Sequence, residues 1–535
     1  MKFFTIISFG LAMHFMASSA QTTSGNDSIY RLPYKDTYVR DAHVAENSFR
    51  TMKPRSMDIP TFEQARQVLP EPLWQGHDGE LEMYWRAWEI GVGNIRNPQP
   101  GSGFVAPYFD TAYNGNIFMW DSSFILMFAK YGTRLFPFQL TLDNFYAKQH
   151  PDGFICREIK RDGSDCFERY DPVSTGPNLI PWCEMEYYRQ FGDMERLHRI
   201  FPVLVSYNNW LRLNRTWRNG TYWSSGWGTG MDNIPRLPEG YNLNFSHGHM
   251  IWLDTNLQQI FIDYQMLQMG FYIERWQEIE HMEDEAIRLT SYVRENLWDD
   301  ATGFLYDQYA DGSLAGVKTI SAYWALLTDG LLSPAQQQRL VAHLKDTTEF
   351  CRPGMVPSIE RKCPKYRPNG RYWQGGVWPG TNYMVMRGLD RQGFSSEARD
   401  VALKHYRQVY EVFKRDHTFY EYYSPEGMEP GFMARREFVG WTGLAPIAVF
   451  IEYILGIRAD YPEGTITWDC NLTEEHGISR YPYGPEGKIS FKAAARKSTT
   501  ARPQLTIHTD VPFKLRLRYG GKEETISITP AKSIY

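Results

Sequence analysis

The sequence predicts a mainly α protein: an (α/α)6 toroid of six helical hairpins, followed by a small C-terminal β-sandwich. Three observations predict it. Helical patterns that are amphipathic and rich in Arg, Glu and Lys alternate with patterns apolar or small around most of their circumference, as expected of outer and inner helices. Links before the inner helices are long and those after them are mostly short, which gathers the long loops at one end. After Ile457 the helical period gives way to short alternating and β-branched runs.

In chain order, residues 1–20 read as a signal peptide, with Lys2, an apolar run from Phe3 to Met16 and small residues at Ala17–Ala20. Residues 21–60 are a polar, irregular lead-in, and 61–458 form the helical domain. Helices are expected at 80–95, 118–131, 134–148, 177–191, 193–213, 249–268, 270–297, 316–328, 333–347, 376–389, 391–415 and 436–456. Those at 118–131, 249–268, 316–328, 376–389 and 436–456 carry the buried pattern. Residues 464–535 form the β-sandwich, with a hairpin turn at Gly520-Gly521.

The net charge of −5 comes without a basic stripe, which argues against nucleic acid as a partner. Past the leader, no apolar run is long enough to span a bilayer, so the chain reads as exported, to the periplasm or the medium. Six cysteines include two pairs, Cys156/Cys166 and Cys351/Cys363, spaced so that each pair can close a loop in an oxidising compartment. No metal motif, phosphate loop or dinucleotide fingerprint occurs, so no cofactor is implied.

Aromatic residues make up 15% of the chain, with 17 Trp and 34 Tyr, many beside Gly and Pro in the long loops. Such loops suit a ring-stacking cleft. In Trp223–Arg236, tryptophans and glycines crowd ahead of Asp232 and Asn233. Glu421 lies among Tyr420, Tyr422 and Tyr423, ahead of Pro425. Cleavage of a glycosidic bond needs two carboxyl groups flanking the sugar, and Asp232 and Glu421 are the candidate pair. Trp120, Asp121, Trp227, Asn233, Trp373, Gln374 and Trp441 are candidate sugar contacts, with Arg157 as a hydroxyl clamp. Glu437 is a further candidate; Asp110, Glu158 and Asp307 are lesser ones. His247 and His249 keep a polysaccharide lyase in view, and the same aromatic funnel would serve a non-catalytic glycan-binding protein.

Taken together and in order, Trp120–Phe124, Gly228–Asn233, Trp373–Gly380, Glu421–Pro425 and Gly440–Thr442 resemble the toroidal inverting α-glycosidases. The nearest groups are glycoside hydrolase family 63, the trehalases and the mannosylglycerate hydrolases. The resemblance runs from about residue 80 to 456. It implies Asp232 as general acid, Glu421 as general base and Asp121 as a substrate contact, and it allows calcium without placing ligands for it. The chain lacks the dense glycine run of trehalases at 427–431 and the large N-terminal β-sandwich of typical family 63 enzymes. The expected function is a secreted inverting exo-α-glycosidase, an α-glucosidase on oligosaccharides or small glycosides, with trehalase or glycosylglycerate hydrolase as alternatives.

Overall fold

The computed structural model describes residues 40–534; the expected signal peptide at 1–20 and most of the expected lead-in lie outside them. The molecule is mainly helical, and each of the twelve expected stretches contains a helical segment. The inner segments are Met119–Ala129, Ile180–Phe191, Leu253–Tyr272, Ile320–Leu327, Pro379–Arg391 and Trp441–Leu444, the last continuing as Ala445–Ile454. Each packs on the next, and the last returns to the first. Around them, Asp78–Val92 lies on Ala445–Ile454, Met194–Asn214 on Ile180–Phe191, Glu280–Tyr292 on Leu253–Tyr272 and Ser395–Asp416 on Pro379–Arg391.

Proline and local packing account for the departures from the expected boundaries. The stretch 134–148 is helical only as Phe138–Leu140 and Thr141–Ala147, because Pro137 supplies no backbone N–H to an earlier turn. The last inner segment begins at Trp441 rather than 436, and Glu437 holds a left-handed φ of +56° that no helix accommodates. Ile320–Leu327 is a 3-10 rather than an α segment, and Ala445–Ile454 is a wide π-turn helix with Pro446 near its start.

Several elements escaped the pattern reading, among them the 3-10 helices Ala42–Glu46 and Ser48–Thr51 in the stretch expected to be irregular, where Asp41 and Asn47 cap their first turns. Phe62–Val68 is a helix opened by a Thr61/Gln64 capping box, and Glu71–Trp74 is a strand. That strand pairs antiparallel with His476–Tyr483, as the edge of a five-stranded sheet completed by Gly487–Ala493, Leu505–Thr509 and Ala531–Ile534. A four-stranded sheet runs Lys522–Ile528, Phe513–Tyr519, Thr465–Asp469, Ile457–Asp460, with the middle pair parallel. Alternation along Gly487–Ala493 and Phe513–Tyr519 turns Ile489, Phe491, Leu515 and Leu517 inward. Phe491 bridges the two sheets, with ring centroids 5.3 Å from Trp468 and 6.0 Å from Phe513.

At the C-terminal ends of the inner helices a buried charge cluster closes the floor. Arg387 donates two hydrogen bonds to Glu186, Lys130 lies 3.5 Å from Glu452, and Tyr131 and Tyr383 each donate to Glu452 at 2.8 Å. The other end carries the long loops. All six cysteines are free thiols, so neither expected pair is bridged. The buried Cys156 thiol instead faces the Phe167 carbonyl, and burial pushes its pKa up to about 11.

Candidate active site

The site lies over the N-termini of the inner helices and is held by one loop, 371–378. Tyr372 has φ +58°, a left-handed conformation that costs a non-glycine residue roughly 1–2 kcal/mol. The cost is met locally. Trp373 folds back to stack on Trp378 with centroids 4.0 Å apart and planes 4° from parallel, and Trp378 stacks in turn on Tyr422 at 4.4 Å. Gly376 makes the fold-back possible, since a Cβ there would meet the Tyr372 carbonyl at 2.3 Å.

This loop fastens both carboxylate loops. On one side the Trp373 N–H donates to Asn233 Oδ1 at 2.8 Å, and the Gln374 side chain donates to the Asn233 carbonyl at 3.4 Å. On the other, Val377 and Tyr423 exchange two backbone hydrogen bonds of 2.9 Å. Trp441 locks the second loop from below, donating its indole N–H to the Glu421 carbonyl at 2.7 Å. The acid loop rests on Trp120: Gly230 has φ +71°, and a Cβ there would fall 2.4 Å from the indole.

Three carboxyl groups converge above this aromatic floor. Asp121 feels the charges of both Glu421 and Asp232, and Glu421 feels that of Asp232. Burial is the main cause that raises all three: Asp232 to about 6, Glu421 to about 7 and Asp121 to about 8. Arg157 pulls Asp232 and Asp121 back, and Arg435 pulls back Glu421. Arg157 is delivered beside Asp121 because Phe118 pairs with Glu158 and the Met119 N–H donates to the Arg157 carbonyl at 2.8 Å. Its Nε donates to the Val173 carbonyl at 2.7 Å, and its guanidinium lies over Phe167 and Trp227.

Several expected residues take other parts. Trp373 is 1% exposed, so its ring supports the wall and presents no open platform. Asn233 and Gln374 join loops. The Glu437 side chain is 69% exposed and faces Arg86 at 4.0 Å, because its left-handed φ turns it outward, away from the carboxyl cluster. Asp110 accepts backbone N–H bonds from Asn114 and Gly115, and Glu158 accepts a hydrogen bond from the Asn116 side chain. Asp307 caps Leu253 and pairs with buried Arg236. His247 and His249 pack on each other and on Trp217.

Two residues were overlooked. Arg435 is the cation nearest in effect to Glu421, and Tyr372 donates its hydroxyl to Asp232 Oδ2 at 3.1 Å. The Gly375-Gly376 pair signalled a tight turn, but nothing local in the sequence marks Tyr372 as the residue aimed at Asp232. Its bond favours the ionised form of Asp232. Tyr372→Phe is therefore expected to raise that pKa and move the pH–rate optimum upward, whereas a purely structural role would leave the optimum in place.

The family described as the mannosylglycerate hydrolase MGH1-like glycoside hydrolase domain matches residues 115–430, more than half of the chain and the part that carries all three carboxyl groups. This chain belongs to that family. It is a glycoside hydrolase. A mannosylglycerate hydrolase of Thermus thermophilus is 24% identical over 373 residues, covering 57% of this chain and 88% of that protein. The solved GH63 mannosylglycerate hydrolase from another strain of Thermus thermophilus, in complex with glucose, superposes with a TM-score of 0.55 at 20% identity, over 68% of this chain and 99% of that one. The neutral trehalase Nth1 of Saccharomyces cerevisiae shares the fold with a TM-score of 0.52 at 13% identity, over 69% of this chain and 80% of that one. Among the described residues no helix is long and apolar enough to cross a membrane.

Proposed function

We propose that this member of the family is an exported, inverting exo-α-glycosidase, an α-glucosidase on oligosaccharides or small glycosides, with Asp232 as general acid and Glu421 as general base. The observation that carries the reading is the meeting of these two carboxyl groups, on separate loops braced by one bracket, over a tryptophan floor with Asp121. The closed cycle of inner helices supports an (α/α)6 toroid, and the rings between the two sheets support a β-sandwich. The apolar segment after Lys2 and the small residues at Ala17–Ala20 support export.

The chemistry is one displacement. Water attacks the anomeric carbon as Glu421 takes a proton from it; a new C–O bond forms on the face opposite the one that breaks. Asp232 gives its proton to the departing oxygen, and solvent exchange resets both groups. The net change is one water added across the glycosidic bond. Inversion calls for the carboxyl groups to stand about 6.5–9.5 Å apart, leaving room for that water. Asp121, held as a neutral acid up to about pH 8, is able to donate as well as accept toward a sugar hydroxyl.

Values of about 6 for Asp232 and about 7 for Glu421 mean that one proton is shared between two groups of similar affinity. The profile of kcat/KM against pH is therefore expected to be a bell with its optimum between these values, whichever group holds the proton more often. Proton NMR of the first-formed sugar, across α-glucosides, trehalose and mannosylglycerate, tests the whole reading. The expected result is β-anomer released first from an α-glucoside; α-anomer first would reject inversion. The name of the Thermus relative favours mannosylglycerate as the second substrate to try.

A further inference from the structure

The proton of Asp232 travels toward the leaving group, and the turn that carries Phe245 stands beside Asp232: a Cβ at Gly226 would meet both the Leu243 and the Asp232 carbonyl oxygens, the latter at 2.4 Å. Two rings meet there. Phe245 is 47% exposed, and its centroid stands 4.7 Å from that of Trp227, the planes tilted by 58°. The turn carrying Phe245 is built onto the acid loop. The Trp227 N–H donates to the Asn244 carbonyl at 3.0 Å, and Asn242 Oδ1 accepts from the Asn244 and Phe245 N–H groups. Gly226 lies against it so closely that a Cβ would fall 2.0 Å from the Leu243 carbonyl oxygen. Trp227 is backed by Phe167 at 6.0 Å and by the Arg157 guanidinium at 5.9 Å. Phe245 is thus a large apolar ring held in place with about half of it in water.

We propose that Phe245 and Trp227 form a leaving-group subsite for a pyranose ring, so that the bond cleaved joins two sugars. A pyranose presents a face of C–H groups that packs on an aromatic ring, whereas a glycerate or other small acid has none. The inference rests on the exo-α-glucosidase reading above and narrows it to substrates whose leaving group is itself a sugar.

The test compares two kinds of probe on the full chain: α-glucosyl fluoride, whose leaving group has no ring, and the α-1,2-, α-1,3-, α-1,4- and α-1,6-linked glucose disaccharides. Phe245→Ala is expected to lower kcat/KM on the preferred disaccharide about 10- to 100-fold, the value of one buried phenyl face. Fluoride release stays unchanged, and Phe245→Trp keeps disaccharide activity. Equal losses on both probes, or no loss on the disaccharide, would overturn the subsite. Wild-type cleavage of the fluoride with no disaccharide cleaved would overturn it too. A wild type inert toward both probes would reject the α-glucosidase reading itself, and the subsite with it.

Discussion

Asp232→Asn and Glu421→Gln should each lower kcat about 10²- to 10⁴-fold, the usual contribution of a positioned acid or base. The fold should survive both changes, because the loops are braced by backbone bonds and indoles rather than by the carboxylates. Stability gives the result a second signature. Burial pushes Glu421 up to about 7 in the folded chain, above the ordinary glutamate value of 4.5. Stability from its retained proton is fully present below that ordinary value and is lost as pH rises through 7. Glutamine does not titrate. Glu421→Gln should therefore melt above the wild type at pH 8 and close to it at pH 4. Calorimetry at the two pH values, beside a kinetic assay, checks both halves; retained activity would remove Glu421 from the chemistry.

Arg236→Met is expected to cost about 3–5 kcal/mol, the penalty for stripping a buried ion pair of one partner. Arg236 has no exposed surface. Its Nη2 donates to Asp254 at 2.7 Å, its Nη1 lies 3.5 Å from Asp307, and its guanidinium sits 4.3 Å from the Trp252 ring centre. Removing it leaves two buried carboxylates beside each other, and Asp307 is already raised to about 6, first through burial and then through Asp254. Adding Asp254→Asn to the variant should recover part of the loss. Denaturation by urea measures both steps. Equal stability of the Arg236 variant and the wild type would refute the account.

Arg236 also shows what the sequence could and could not reveal. It stands in the same loop as Asp232, four positions further on. The chain turns after Ile234, so Asp232 faces the pocket while Arg236 enters the core. Helices were legible because their apolar period repeats over many residues. The proposed acid pair could be singled out because aromatic, Gly and Pro residues cluster around Asp232 and Glu421. Glu437, Trp373 and Tyr372 were misjudged for one shared reason: the direction of each side chain follows from a local turn, left-handed at Glu437 and Tyr372 and a glycine fold-back at Trp373, that residue type does not encode. The Glu71–Trp74 strand is too short for alternation to declare itself, and its partner lies some four hundred positions away.

That distant pairing bears on how the chain acquires its shape during synthesis. Glu71–Trp74 emerges from the ribosome early, while His476–Tyr483 appears only near the end, so the early segment must wait with its hydrogen-bonding edge unfilled. Trp74 waits with it, its ring bound for a place beside Phe450. The helical body is thus sealed last, by a late arrival that closes over its beginning.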